Sequence, residues 1–229
     1  MRSTNPVLRN IGQEATYISD RPVTYANVTT KTLFLVALVA LSAYLSLYFG
    51  LVSYGTLIGA FIVGFIAVIV GTRSVRLAPY FAIVYSLAEG MILGVVSLLF
   101  AAEYQGIVQT ALLSTLLVLV IMMLLYSTRI IKVTQGFASI IVIALIALIF
   151  MSFLNIFLQF NTSFFYLIVI ISSALSALFL LLDFKVIESC VESGADARYG
   201  WILSLGLLVT IVWIYIEMLR LLAIFGRRR

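Results

Sequence analysis

Long hydrophobic stretches with very few charges alternate with short polar connections along this chain. A helix of about 20 apolar residues crosses the hydrocarbon core of a bilayer. The pattern predicts seven such helices: Thr32–Ser53, Thr56–Gly71, Leu77–Phe100, Gly106–Tyr126, Phe137–Phe160, Ser163–Phe184 and Trp201–Phe225. The second stretch is short, and its separation from the first depends on a turn at Tyr54-Gly55. Without that turn the two would form one kinked helix, too long to span once.

The composition supports this membrane assignment. The chain is 64% hydrophobic and 10% charged, with a mean hydropathy of +1.22. A soluble domain is about half apolar and a quarter charged. We therefore predict an all-α integral membrane protein in contact with the lipid bilayer. Residues 1–31 form a polar amino-terminal tail, residues 32–226 form a seven-transmembrane helix bundle, and residues 227–229 form a basic carboxyl-terminal tail.

Several classes of function are excluded by the residue types present. The chain has no histidine and one cysteine, Cys190. The usual zinc sites and His-dependent nucleophilic catalysis need those residues, and the Gly-x-Gly-Asp motif of aspartyl intramembrane proteases is absent. We expect no enzyme and no firmly bound metal or cofactor. Lys and Arg exceed the acids, 14 to 9, but they flank the apolar stretches, so nucleic acid is not an expected partner.

The basic residues also predict the orientation of the chain. Alternate connections carry them: Arg73 and Arg76, then Arg129 and Lys132, then Lys185 and Arg198. Together with the basic amino-terminal tail, they place the N-terminus and these connections in the cytosol. Seven spans then put the terminal Arg227, Arg228 and Arg229 outside, against the positive-inside rule. Either the internal basic residues outweigh this tail, or the last segment returns without crossing. We favour full crossing because about 37 Å of helix is present.

Three acidic residues, Glu89, Asp183 and Glu217, lie within or at the end of the hydrophobic stretches. A charged residue in a membrane helix costs roughly 2.5–3.5 kcal/mol and is a candidate for function. Glu89 borders a face of the third helix that should look inward, because small residues let membrane helices pack closely. That face consists of Ala82, Ser86, Gly90, Gly94 and Ser97.

The sixth and seventh helices each carry a polar stripe. On the sixth helix, Asp183 continues a stripe of serines, Ser172, Ser173 and Ser176, and the helix should extend to Glu192. Asp183 is either a proton-responsive gate or a solvated acid at the end of the span.

On the seventh helix the stripe consists of Gly206, Thr210, Trp213, Glu217 and Arg220. Glu217 and Arg220 have the i,i+3 spacing of an ion pair, which is either structural or part of a secondary path. Arg73 and Arg76 are either topology markers or gate partners of Asp183.

Four stretches together resemble one family. They are Met1–Val7, Leu87–Gly94, Leu181–Glu188 and Leu208–Leu222. The chain is similar to the Bax inhibitor-1/YccA family, and in particular to its bacterial branch with a polar amino-terminal tail. The resemblance implies a bundle whose last helix is central, located in the bacterial inner membrane. It also implies a pH-sensitive calcium leak, controlled by a pair of aspartates on the sixth and seventh helices.

This chain departs from the implied pair. Asp183 matches the first aspartate, but Thr210 occupies the position of the second. Glu217 lies two turns further along, about 10 Å away, and is a poor substitute. A lone carboxylate loses the coupling that two acids in one site share.

Two hypotheses follow. The first is a passive cation path, calcium favoured, in which Glu89 and Asp183 bind the ion transiently. The second is a regulator without transport, which binds unidentified protein partners through the tail and an acidic loop at Glu188–Asp196.

Overall fold

A computed structural model describes residues 21–158 and 162–226. In that part of the chain there are seven α-helices and no strand. They are α1 Tyr25–Tyr48, α2 Tyr54–Arg73, α3 Ala78–Glu103, α4 Ile107–Ser127, α5 Gln135–Leu158, α6 Thr162–Glu192 and α7 Tyr199–Gly226. All seven are long and apolar enough to cross a membrane, which confirms the predicted all-α, seven-span architecture. Residues 1–20 of the predicted amino-terminal tail, Phe160 and the tail at 227–229 lie outside the described residues.

The first helix begins earlier than its hydrophobic stretch. It starts at Tyr25 instead of Thr32, because the Thr24 side chain caps it by accepting a hydrogen bond of 3.2 Å from the Asn27 N–H. A hydroxyl at this position satisfies one of the free N–H groups of a first turn. Residues 25–31, which the apolar pattern places in the tail, are therefore helical. An apolar stretch marks the lipid-spanning part of a helix and not its capped end.

The turn between α1 and α2 also differs from the prediction. Gly55, the expected turn residue, lies inside α2. The chain turns instead at Gly50, whose φ of +62° favours glycine. Ser53 and Thr56 then form a capping box that starts α2.

The described residues form two compact units. The first contains residues 21–95 and 185–208, and within it α1 packs closely on the first part of α3. A Cβ added to Gly90 would lie 2.5 Å from the Val39 carbonyl oxygen, and one added to Gly94 would lie 3.0 Å from that of Ala43. Ser42 Oγ also donates a 2.6 Å hydrogen bond to the Leu87 carbonyl. Small residues thus bring these two helix backbones together, as the pattern predicts.

The second unit contains residues 96–184 and 209–226. Here the end of α3 is linked to α7 by a 2.7 Å hydrogen bond between the Ser97 and Tyr215 hydroxyls. The Phe179 ring of α6 packs on Trp213 of α7 at a centroid distance of 5.9 Å. Among the seven helices α7 is the most enclosed, since 67% of its apolar stretch is buried, against at most 39% in the others.

Candidate intramembrane carboxylate sites

Asp183 and Thr210 meet in the second unit. Asp183 lies on α6, and its carboxyl receives a hydrogen bond from the side chain of Thr210 on α7. Thr210 is only 4% exposed. The second oxygen, Oδ2, exposes less than 1 Å² and has no hydrogen-bond partner among the described residues. The Thr210 hydroxyl therefore satisfies one oxygen of Asp183.

Glu217 is the other buried acid of this unit, at 1% exposure. Its Oε1 accepts three hydrogen bonds: 2.7 Å from Ser172 Oγ, 3.3 Å from Trp213 Nε1 and 3.1 Å from Arg220 Nη1. The last contact is the i,i+3 ion pair that the spacing suggests. Its other oxygen, Oε2, is buried and accepts no hydrogen bond in the described part of the chain.

Asp183 and Glu217 share one property, since each has one satisfied oxygen and one buried oxygen without a donor. Leaving a buried acceptor without a partner costs about 1–3 kcal/mol, and more for a charged group. In each acid the second oxygen is therefore a buried acceptor to which a hydrogen-bond donor or a cation can bind.

Glu89 lies in the first unit. It is half-buried on α3, one turn after the buried Tyr85. The neighbouring small residues Ser86, Gly90 and Gly94 are buried, as expected for an inward face. No hydrogen bond to the Glu89 carboxylate is present among residues 21–158 and 162–226.

The comparison with known families is decisive for the class of protein. A family model described as Bax inhibitor 1 like matches residues 5–227, nearly the whole chain. The chain belongs to this family. A search of the curated proteins found no match. The membership of the chain in this family agrees with the resemblance that the four sequence stretches show. Together with the seven apolar helices, it makes this Bax inhibitor 1 like chain a multi-pass membrane protein.

The two candidate gate arginines of this Bax inhibitor 1 like protein lie at a helix end. Arg73 is the last residue of α2, and Arg76 lies in the turn that follows; both are exposed. Neither forms an ion pair within the described residues. In this structure the hydrogen-bond partner of Asp183 is Thr210, so pairing with either arginine remains a prediction.

No preformed metal site is seen in the described ranges, since no three Cys, Asp or Glu residues come together there. Any calcium bound by Glu89 or Asp183 would need carbonyl, hydroxyl or water oxygens as further ligands. Sequence reasoning missed the role of Ser172, which donates to Glu217 across two helices. Its place in the polar stripe of α6 was the available signal.

Proposed function

We propose that this protein is a pH-sensitive passive cation leak, with calcium as the favoured ion and Asp183 as its control point. The observation that carries the proposal is the buried Oδ2 of Asp183, which has no donor among the described residues while Thr210 occupies the neighbouring oxygen. The proposed activity is passive, so it involves no catalytic step and no bound cofactor.

The chemistry of the site supports a cation as its ligand. Calcium binds carboxylate, hydroxyl and carbonyl oxygens, and the buried stripe of α6 carries hydroxyl groups that begin two turns, about 10 Å, before Asp183. The serines of this stripe, Ser172, Ser173 and Ser176, are at most 7% exposed. A proton and a cation would compete for the same carboxylate oxygen, which couples ion passage to pH.

The membrane and orientation belong to the same proposal. The resemblance to the bacterial branch favours the bacterial inner membrane, and the basic connections favour a cytosolic N-terminus. Under this orientation Arg73, Arg76, Arg129, Lys132, Lys185 and Arg198 all face the cytosol, and α7 ends outside.

Calcium flux into liposomes tests the proposal. We expect Asp183→Asn to reduce the leak by about tenfold or more at neutral pH, because the variant loses the charge that attracts the ion. Glu192→Gln is the matched control, since Glu192 is an exposed acid at the end of the same helix. Its flux should equal that of the wild type. Equal flux in all three proteins, or equal losses in both variants, would contradict the proposal.

A second candidate function, a regulator that binds protein partners, is favoured by two backbone hydrogen bonds of the amino-terminal segment. The Val23 N–H donates a 2.7 Å hydrogen bond to the Ala195 carbonyl, and the Ala197 N–H donates one of 2.9 Å to the Arg21 carbonyl. The end of the amino-terminal segment is therefore fixed on the connection between α6 and α7. A partner held by residues 1–20 would act close to the start of α7.

The acidic surface predicted for this regulator needs correction. Glu188 and Glu192 belong to α6 and not to a loop. Glu188 Oε2 is paired with Lys185 Nζ at 2.6 Å, and Asp196 Oδ1 accepts a hydrogen bond from the Arg198 N–H. Deletion of residues 1–20, which ends before the Arg21 contact, separates the two functions. The leak should survive it, whereas a regulator should lose partner binding.

A further inference from the structure

A cavity of about 120 Å³ lies in the second unit, where α3 and α7 end and α6 begins. Its walls are mostly aromatic, and one charged side chain, that of Arg220, lines it. The rings are those of Phe100, Tyr104, Phe165 and Tyr166. This cavity is separate from the contact between Asp183 and Thr210.

Arg220 is suited to bind a second group besides Glu217. Its side chain is 49% exposed, while that of Glu217 is 2% exposed. Only Nη1 of Arg220 contacts Glu217, at 3.1 Å. A guanidinium has five N–H donors, and the remaining ones have no acceptor in the described part of the chain. The cavity therefore presents positively charged N–H donors of Arg220, to which an anion can bind.

The position of the cavity defines the kind of anion. Arg220 lies six residues before the end of α7 at Gly226, which is about 9 Å along the helix axis. Tyr104 follows the last residue of α3, and Phe165 and Tyr166 lie in the first turns of α6. Tyrosine rings at helix ends, here those of Tyr104 and Tyr166, mark the headgroup level of a bilayer. An anion with an apolar body fits this environment better than a hydrated inorganic one.

We propose that this cavity binds the phosphate of an anionic phospholipid, with Arg220 as its ligand. The guanidinium can keep Nη1 on Glu217 and present its other donors to two phosphate oxygens, a geometry that Arg favours. The aromatic walls then contact the glycerol and the first carbons of the acyl chains. The volume holds a headgroup phosphate and leaves the tails outside in the bilayer.

The charges at this end of the molecule are consistent with the proposal. Glu103 is the last residue of α3, directly before Tyr104, but it does not line the cavity. This site is independent of the proposed leak, because it uses neither Asp183 nor Thr210.

Lipid titration of the purified full-length protein in a neutral detergent tests the site. Short-chain phosphatidylglycerol is the probe, and phosphatidylcholine and inorganic phosphate are the comparison ligands. The wild type should bind phosphatidylglycerol about tenfold or more tightly than either of the others. Equal affinity for phosphatidylcholine would overturn the assignment to an anionic lipid. Equal affinity for inorganic phosphate would identify a free-anion site and overturn the assignment to lipid.

Two variants make the test specific to the cavity. The double variant Arg220→Gln with Glu217→Gln removes both charges at nearly constant volume, so no carboxylate is left buried alone. Ala223→Phe fills the cavity and leaves both charges in place, because Ala223 lines its wall. Both should weaken phosphatidylglycerol binding about tenfold. The control Arg73→Gln removes an exposed cation at the end of α2 and should bind normally. Unchanged binding in both cavity variants, with the fold intact by circular dichroism, would overturn the proposal.

Discussion

The inner face of α3 and the facing stripes of α6 and α7 are both lines of small or polar residues, yet the structure uses them differently. On α3, Gly90 and Gly94 lie against α1 so closely that a Cβ on Gly90 would meet backbone at 2.5 Å. On α6 and α7, Asp183 and Glu217 each keep one buried oxygen without a donor among the described residues. The face of α3 therefore packs two helices together, whereas the stripes of α6 and α7 contain buried carboxyl oxygens that are available to a further ligand.

The hydroxyl groups of the two regions differ in some of the acceptors to which they donate. Around α3, Ser42 Oγ donates to the Leu87 carbonyl and Ser86 Oγ to the Ala82 carbonyl, so both satisfy backbone acceptors. In the second unit, Ser173 and Ser176 also donate to backbone carbonyls, but Ser172 and Thr210 donate to carboxyl groups. A buried serine or threonine therefore does not by itself indicate a functional site. Contact with an acidic side chain distinguishes the candidate sites from hydroxyl groups that only satisfy backbone carbonyls.

The largest effect on stability should come from breaking the Glu217 ion pair. Arg220→Gln leaves a nearly fully buried carboxylate with two donors, and removing one partner of a buried pair costs about 3–5 kcal/mol. Because Arg220 is 49% exposed, we expect about 2–3 kcal/mol, measured by unfolding in detergent. Adding Glu217→Gln should recover most of the loss. A double variant as unstable as the single one would show that the carboxylate is not the cause.

The pairing of Glu217 with Arg220 was predictable because it depends only on the spacing along one helix. The seven spans, and the extension of α6 to Glu192, were predictable because long apolar runs and helical periodicity are properties of the local sequence. The start of α1 at Tyr25 was not predictable from the apolar pattern, since it depends on the geometry of the Thr24 cap. The turn at Gly50 depends similarly on a backbone dihedral angle.

Contacts across helices could not be derived from the sequence in the same way. The bond from Ser172 to Glu217 and the bond from Thr210 to Asp183 depend on how α6 and α7 are rotated toward each other. Periodicity places each residue on a stripe but does not fix this rotation. The link between Asp183 and Thr210 was suggested by the family resemblance, which carries information about tertiary structure that a single pattern lacks.

The glycine face of α3 should give the next largest effect. Gly90→Ala introduces a Cβ 2.5 Å from the Val39 carbonyl oxygen and 2.6 Å from the Ser42 Cβ. Overpacking of this kind costs about 1–3 kcal/mol, which thermal unfolding in detergent would show. Gly59→Ala is the matched control, because nothing lies within 4 Å of its Cβ position. It should be neutral or slightly stabilising. Equal destabilisation in the two variants would contradict the role given to close packing.

A smaller effect is expected from Ser42→Ala. This variant removes the 2.6 Å hydrogen bond to Leu87 but leaves a carbonyl that still has its helical N–H partner. A typical hydrogen bond contributes about 0.5–1.5 kcal/mol, and we expect a loss in this range in the same unfolding assay. Calcium leak should be unchanged, since the contact that Ser42 of α1 makes with the α3 face has a packing role. A large loss of leak in a folded Ser42→Ala protein would mean that this face also serves ion passage.

The most direct test of the central claim is the pH dependence of calcium flux in liposomes, measured for the wild type and for Asp183→Asn. Asparagine imitates a protonated aspartate at every pH. We predict that wild-type flux falls as the pH decreases and the carboxylate takes up a proton, while the variant stays at the low-pH level of the wild type throughout. An Asp183→Asn protein that follows the wild-type pH curve would contradict the claim that Asp183 controls the leak.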